Sequence, residues 1–279
     1  MTETYLSFIL SLKDVSTTTI LAVFLLLFGR LIPIMAITPF LGAKTVPHSI
    51  RIGFAACIAF IFLPMALSNF PGKLDFDYIF FGLFLKEVFI GFILGFIASI
   101  PFFIAQSSGS LIDHIRGSSS LQVTDPTTHS TTGPIGVLYN YVLIAVFFGI
   151  GGPLIFFNAL ATSYIVIPMQ SLMNPNFFSL NVPFWKLIMG IITQIFALGI
   201  QLGAPAIIGT LLTEMFLGIA NRLAPQIQIV FLGISLKSWV GLAMLALAWY
   251  YIANQLSKES LLWLKMMENT IQQASHFKI

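Results

Sequence analysis

PTTHSTTGPIGVLYNYVLIAVFFGIGGPLIFFNALATSYIVIPMQSLMNPNFFSLNVPFW, residues Pro126–Trp185, holds no Asp, Glu, Lys or Arg in sixty positions. A soluble domain solvates itself with charge, at about 25% of its residues. This chain of 279 residues carries 8% charged and 57% apolar residues, with a mean hydropathy of +0.95. Further charge-free stretches run over Ile52–Gly72, Val88–Ile112, Leu187–Thr213 and Ser238–Ser257. Each approaches or exceeds the roughly 20 residues a helix needs to cross a hydrocarbon core. The fold expected is an all-α integral membrane protein of about six hydrophobic helical segments, several kinked or broken, because a backbone among lipid tails must satisfy its hydrogen bonds within each segment.

Bulk numbers exclude several classes. The net charge of +3 is thinly spread and forms no basic stripe, so nucleic acid is not a partner. Cys57 is the single cysteine, which rules out an intrachain disulfide and a thiolate metal cluster. No His-Glu-x-x-His or Gly-x-Ser-x-Gly occurs, and the four histidines lack ligand spacing. Asp75-x-Asp77 lies in a turn beside Lys73 and reads as a solvated link. No catalytic group, cofactor or metal ligand set is expected, and the chain is read as a non-enzyme. The first apolar run begins near Ile20 after Lys13 and Asp14 and meets Arg30 before any cleavage pattern, so it reads as a membrane segment.

One membrane domain over 1–279 is expected. Helical segments fill 20–104, a polar central loop covers 105–134, more helical segments fill 135–253, and an amphipathic tail, interfacial or docked, covers 254–279. Within these, apolar runs lie at 20–41, 50–67, 78–103, 135–150, 154–168, 184–221 and 227–253. Gly203-Ala204-Pro205 should kink or split its helix, since Pro205 removes a hydrogen bond to Gln201. Gly91, Gly95 and Ser99, spaced by four, share a helix face and admit a close neighbour. Arg30, Lys86–Glu87, Glu214 and Arg222 are costly among apolar residues, an Arg mid-span by roughly 2.5–3.5 kcal/mol. Arg30 must reach an interface, a water-filled space or a carboxylate, and Glu87 and Glu214 are the natural partners within the chain; either ion pairs that fix packing or bind a neighbouring subunit, or a proton or ion relay, would explain the four positions. The positive clusters Lys44/Arg51 and Lys258/Lys265/Lys278 give conflicting orientations for six crossings. A faint echo links Arg30-Leu31-Ile32-Pro33 with Arg222-Leu223-Ala224-Pro225, and in so biased a composition it reads as chance rather than as a repeat.

The run Glu214-x3-Gly218-x2-Asn221-Arg222-x-Ala224-Pro225-Gln226-Ile227-Gln228-Ile229 resembles the signature of the FliR/SctT family. Arg30-x2-Pro33, Pro39-x-Leu41-Gly42, Val46-Pro47 and Arg51-x-Gly53 resemble its first hairpin, and Glu87-x2-Ile90-Gly91-x3-Gly95 its third segment. Ser108-Gly109 and Asp125-Pro126 resemble the ends of its central loop, whose Ser/Thr-rich middle departs from the pattern. The likeness covers nearly the whole chain, and Phe40–Lys44 looks closer to the injectisome branch than to the flagellar one.

This resemblance implies a non-enzymatic core subunit of a type III export gate in the bacterial inner membrane. Its partners would be FliP/SctR-like, FliQ/SctS-like, FlhB/SctU-like and FlhA/SctV-like subunits, and its clients unfolded secreted proteins. Helices nested on sister subunits outside the bilayer would also account for the conflicting charge clusters. It implies a plug loop containing Gln106, Gly109, Asp113, Arg116, Gly117, Asp125 and Pro126, with Phe102, Phe103 and Leu121 as a soft seal. It also implies packing or subunit-interface roles for Arg30, Pro33, Pro39, Gly42, Arg51, Glu87, Gly91, Gly95, Glu214, Gly218, Asn221, Arg222, Pro225 and Gln226. A small-solute secondary transporter is the alternative, suggested by the broken helices and the echo.

Overall fold

The computed structural model describes residues 16–42, 46–68, 73–117, 133–171, 183–224 and 229–273. Among them are eight α-helices: α1 Thr17–Ile37, α2 His48–Ser68, α3 Tyr78–Ile115, α4 Pro134–Gly149, α5 Gly152–Val166, α6 Pro183–Leu223, α7 Ile229–Leu247 and α8 Trp249–Gln273. No strand occurs among the described residues. α1, α2, α3 and Ile192–Leu223 of α6 are each long and apolar enough to cross a membrane. The bent pairs α4–α5 and α7–α8 raise the number to six if each is one span. The chain is an all-α integral membrane protein.

Local chemistry sets the helix ends. Ser16 caps α1, its hydroxyl accepting from the Thr19 N–H at 3.3 Å. α1 tolerates Pro33 inside but stops at Thr38, the residue before Pro39, which a following proline drives to an extended ψ of 120°. Thr38 then satisfies the helix end, its N–H and its hydroxyl both donating to the Ile34 carbonyl at 3.0 and 2.8 Å. Pro39 opens a 3₁₀ turn closed by Gly42 at φ 77°, a conformation that suits glycine. Gly151 at φ 74° makes the 75° bend between α4 and α5.

The chain divides into two compact units: Met1–Ser99, Leu154–Leu187 and Leu264–Ile279 form one, Ile100–Pro153 and Ile188–Trp263 the other. In the first, α1 and α3 run parallel, with Arg30 against Gly91 and Ile34 against Gly95. α2 returns between them in the chain and packs on α1, Phe24 lying 4.7 Å from Phe60. α5 packs antiparallel to α1: Tyr164 donates to the Leu27 carbonyl, and Phe156 meets Phe40 at 5.0 Å. In the second unit α3 and α4 run antiparallel, with Gly109 on Gly136 and Phe102 on Phe147. α6 and α7 form an antiparallel hairpin with Glu214 paired to Lys237 and Gly209 beside Met244.

Three expectations are corrected. The polar loop does not begin at residue 105: α3 continues to Ile115, so Gln106, Gly109 and Asp113 are helical. Its serines and glycine read as loop composition, but there they keep the seam with α4 thin. Gly203–Pro205 does not split α6, which passes through it as one helix. The run 227–253 is not one segment, because the chain bends by 62° between Leu247 and Trp249, and the amphipathic tail is the body of α8. The echo has no structural counterpart: Arg30 is fully buried in mid-helix, and Arg222 is exposed in the last turn of α6. With α6 unbroken and the echo gone, the transporter reading loses two of its supports. α8 is docked on protein, burying Leu256, Ser260, Trp263, Leu264, Met267 and Ile271.

Candidate functional site

Arg30 and Glu87 are both fully buried and meet because Gly91, one turn beyond Glu87, has no side chain. A Cβ on Gly91 would overlap the Arg30 carbonyl, and one on Gly95 would come within 2.9 Å of the Ile34 Cα. The glycine ladder therefore brings the α1 and α3 backbones to a separation that lets the guanidinium reach the carboxylate. Arg30 Nε donates to Glu87 Oε2 at 2.5 Å. Its Nη1 donates to the Ser163 hydroxyl and its Nη2 to the Ile167 carbonyl, both at 3.0 Å. The guanidinium also lies 4.2 Å from the centroid of the Tyr164 ring. Lys86 Nζ pairs with Glu87 Oε1 at 2.8 Å and donates to the carbonyls of Pro168, Met169 and Ser171.

Among the described residues, two cations thus share one carboxylate. The remaining acceptors are main-chain carbonyls just past α5, those of Ile167, Pro168, Met169 and Ser171. Each of the three Arg30 nitrogens has an acceptor, and Lys86 Nζ has three carbonyls. The node joins α1, α3 and the end of α5, and ion-pair packing, the first of the two sequence readings, describes it.

A second junction lies in the other unit. Asp113 Oδ2 accepts from the Ile135 and Gly136 N–H groups at 2.9 and 3.3 Å, so α3 supplies the N-terminal cap that α4 lacks in its own sequence. Asp113 Oδ1 accepts from Arg116 Nε at 3.1 Å and Nη2 at 2.8 Å. Gly133 lies so close beneath the carboxylate that any Cβ would overlap it, and a Cβ on Gly109 would be 2.5 Å from the Gly136 Cα. Asp113 and Arg116 are buried and bind together the two helices that flank residues 118–132.

The residues implied by the resemblance therefore fall into distinct places. Arg30, Glu87, Gly91 and Gly95 pack within the chain. Pro33 lies inside α1, and Pro39 and Gly42 shape the turn after it. Arg51 contacts the His48 ring at 2.8 Å. Glu214, Gly218, Asn221 and Arg222 lie exposed on the last turns of α6, where no side chain from Glu214 to Ala224 is buried. Nothing approaches within 4 Å of a Cβ built on Gly218. Gly117 follows the end of α3 at φ 83°, while Asp125, Pro126, Leu121, Pro225 and Gln226 lie outside the described residues. Phe102 is corrected as a seal candidate: it is 1% exposed and packs edge-on against Phe147 at 5.6 Å, whereas Phe103 remains 37% exposed.

Residues 21–261 match the family described as bacterial export proteins, family 1. The chain belongs to that family. Among the relatives of this export protein, the Yop proteins translocation protein T of Yersinia pestis is 31% identical over 178 residues, 63% of this chain and 66% of that protein, just under two thirds of its length. The surface presentation of antigens protein SpaR of Shigella flexneri is 30% identical over 76% of this chain and 78% of its own. The flagellar biosynthetic protein FliR of Bacillus subtilis is 29% identical over 80% of this chain and 84% of its own. The FliR/SctT resemblance holds: the chain is a multi-span membrane member of a family of bacterial export proteins.

Sequence reasoning missed Ser163, Tyr164 and the carbonyls of Ile167, Pro168, Met169 and Ser171 as partners of the buried cations, because a backbone acceptor leaves no trace in composition. The capping role of Asp113 was also missed. Gly133-Pro134, a helix-start signal with proline in the first turn, pointed to an N-terminus in need of a cap.

Proposed function

We propose that the chain is a core subunit of the type III export gate of the bacterial inner membrane, in the injectisome branch. It assembles with FliP/SctR-like and FliQ/SctS-like subunits around a channel for unfolded proteins, with FlhB/SctU-like and FlhA/SctV-like subunits at its entrance. It works as a single membrane domain without catalytic groups. The observation that carries the reading is the end of α6. Met215, Phe216, Ile219 and Leu223 are each at least 59% exposed there, beside the exposed Glu214, Asn221 and Arg222. Water disfavours the first set, and lipid charges roughly 2.5–3.5 kcal/mol for an arginine in the second. A protein surface with apolar and polar patches accommodates both.

The segment after α3 acts in this reading as part of the plug. Because Gln106–Ile115 is helical and Asp113 bonds it to α4, the plug role is assigned to 118–132, which lies outside the described residues. The test is a deletion within 118–130 in the assembled complex, with ion leak measured across the membrane. Increased conductance with normal assembly supports a plug; unchanged conductance overturns it. Arg222→Glu should block co-purification of the partner subunits, and normal complex yield would remove the interface role.

A further inference from the structure

The oxygens around Lys86 form a cage whose chemistry reaches beyond a salt bridge. The carbonyls of Pro168, Met169 and Ser171 lie 2.8, 3.2 and 3.0 Å from Nζ. Glu87 Oε1 lies 2.8 Å away on α3. An ammonium has three N–H bonds, and all three are taken by the carbonyls. Glu87 Oε1 is the fourth oxygen around Nζ and its ion-pair partner. Four oxygens around three donors is the arrangement of an ion-coordination shell, in which attraction is radial and does not need a proton on every contact. Carbonyl oxygens that replace a hydration shell are how proteins hold dehydrated potassium.

We infer that the segment 168–171 and Glu87 form a monovalent-cation site that the protein fills with its own tethered ammonium, Lys86. The carbonyls come from the chain just past α5, where the helix has ended; the Ser171 hydroxyl also donates to that of Pro168, at 3.2 Å. They converge because that segment turns around the ammonium. Arg30 does not compete for the site, since its three bonds go to Glu87, Ser163 and Ile167. Lys86 is a positioning residue in this account: it sets the path of the chain leaving α5, and it does so as a cation of a given size. The inference stands independently of the export-gate reading.

The experiment uses the full chain purified in detergent, as Lys86→Ala, Lys86→Met and the unsubstituted protein. Unfolding temperature is measured in ammonium, potassium and tetramethylammonium chloride at equal ionic strength. Lys86→Ala empties both the stem and the head of the site. It should unfold several degrees lower in tetramethylammonium and regain most of that loss in ammonium or potassium. Lys86→Met fills the stem with an apolar chain, so it should stay destabilised in all three salts, and the unsubstituted protein should be indifferent to the cation. Equal stability of Lys86→Ala in all three salts would overturn the inference, as would equal recovery of Lys86→Ala and Lys86→Met. If Lys86→Ala folds too poorly to purify in sodium buffers, its yield from ammonium-containing buffers is the second readout; no gain in yield there also counts against the site.

Discussion

Glu87→Gln tests the buried node most severely. The substitution keeps the shape of the side chain and removes the one carboxylate that faces Arg30 and Lys86, all three being at most 7% exposed. Breaking a buried pair by deleting one partner costs about 3–5 kcal/mol, because the surviving charge stays buried. Here two cations survive, and the α5 carbonyls offset part of the loss, so the cost should fall inside that range. At roughly 2–4 °C per kcal/mol for a chain of this class, the unfolding temperature should drop by roughly 6–20 °C. Intrinsic tryptophan fluorescence of the detergent-purified protein on a temperature ramp reads it. A companion cycle separates charge from packing: Arg30→Met, Glu87→Met and the double substitution. The double should cost clearly less than the sum of the singles, because it removes a counter-charge together with the charge it serves. A Glu87→Gln melting temperature within a degree of the unsubstituted protein would refute the electrostatic account. Strict additivity in the cycle would show that the pair acts through packing alone.

Three further outcomes are expected. Gly91→Ala drives a methyl into the Arg30 carbonyl and should destabilise by about 1–3 kcal/mol, seen as lower melting and lower yield, whereas Gly53→Ala, with open space around its Cβ, should be neutral or slightly stabilising. Asp113→Ala removes the cap of α4 and leaves Arg116 buried without its carboxylate. It should cost about 2–5 kcal/mol, with faster amide exchange at Ile135 and Gly136 as the specific sign. Gly218→Leu should leave the isolated chain as stable as before, since nothing surrounds its Cβ, yet should reduce recovery of partner subunits; equal recovery would show that this face is free in the complex.

The helices were largely legible because membrane helices advertise themselves by length and apolar run, and Thr17–Ile37, His48–Ser68 and Pro134–Gly149 lie within four residues of the expected limits. The failures share a cause. Gln106-Ser107-Ser108-Gly109 looked like loop because polarity normally marks solvent, yet here small residues serve a close helix–helix seam in which Ser108 is 1% exposed. Gly203-Ala204-Pro205 looked like a break, but a proline costs an apolar helix one hydrogen bond, and neighbouring packing through Gly203 onto Ser108 and Ile112 holds the axis together. The bend before Trp249, unlike the one at Gly151, lies in a stretch with no proline or glycine. For the site, Arg30 with Glu87 was readable as a need for charge balance, and the Gly91–Gly95 ladder as a close approach. The share taken by α5 was not readable, since it consists of main-chain carbonyls and one serine in an otherwise ordinary apolar run.

The central claim is that this chain functions as one component of a larger export assembly. Native mass spectrometry of the protein, extracted in mild detergent with its neighbours intact, tests it most directly. The account predicts a large heteromer in which a single copy of this chain accompanies several copies of smaller apolar membrane proteins. A lone, stable monomer that moves a small solute into vesicles would contradict it.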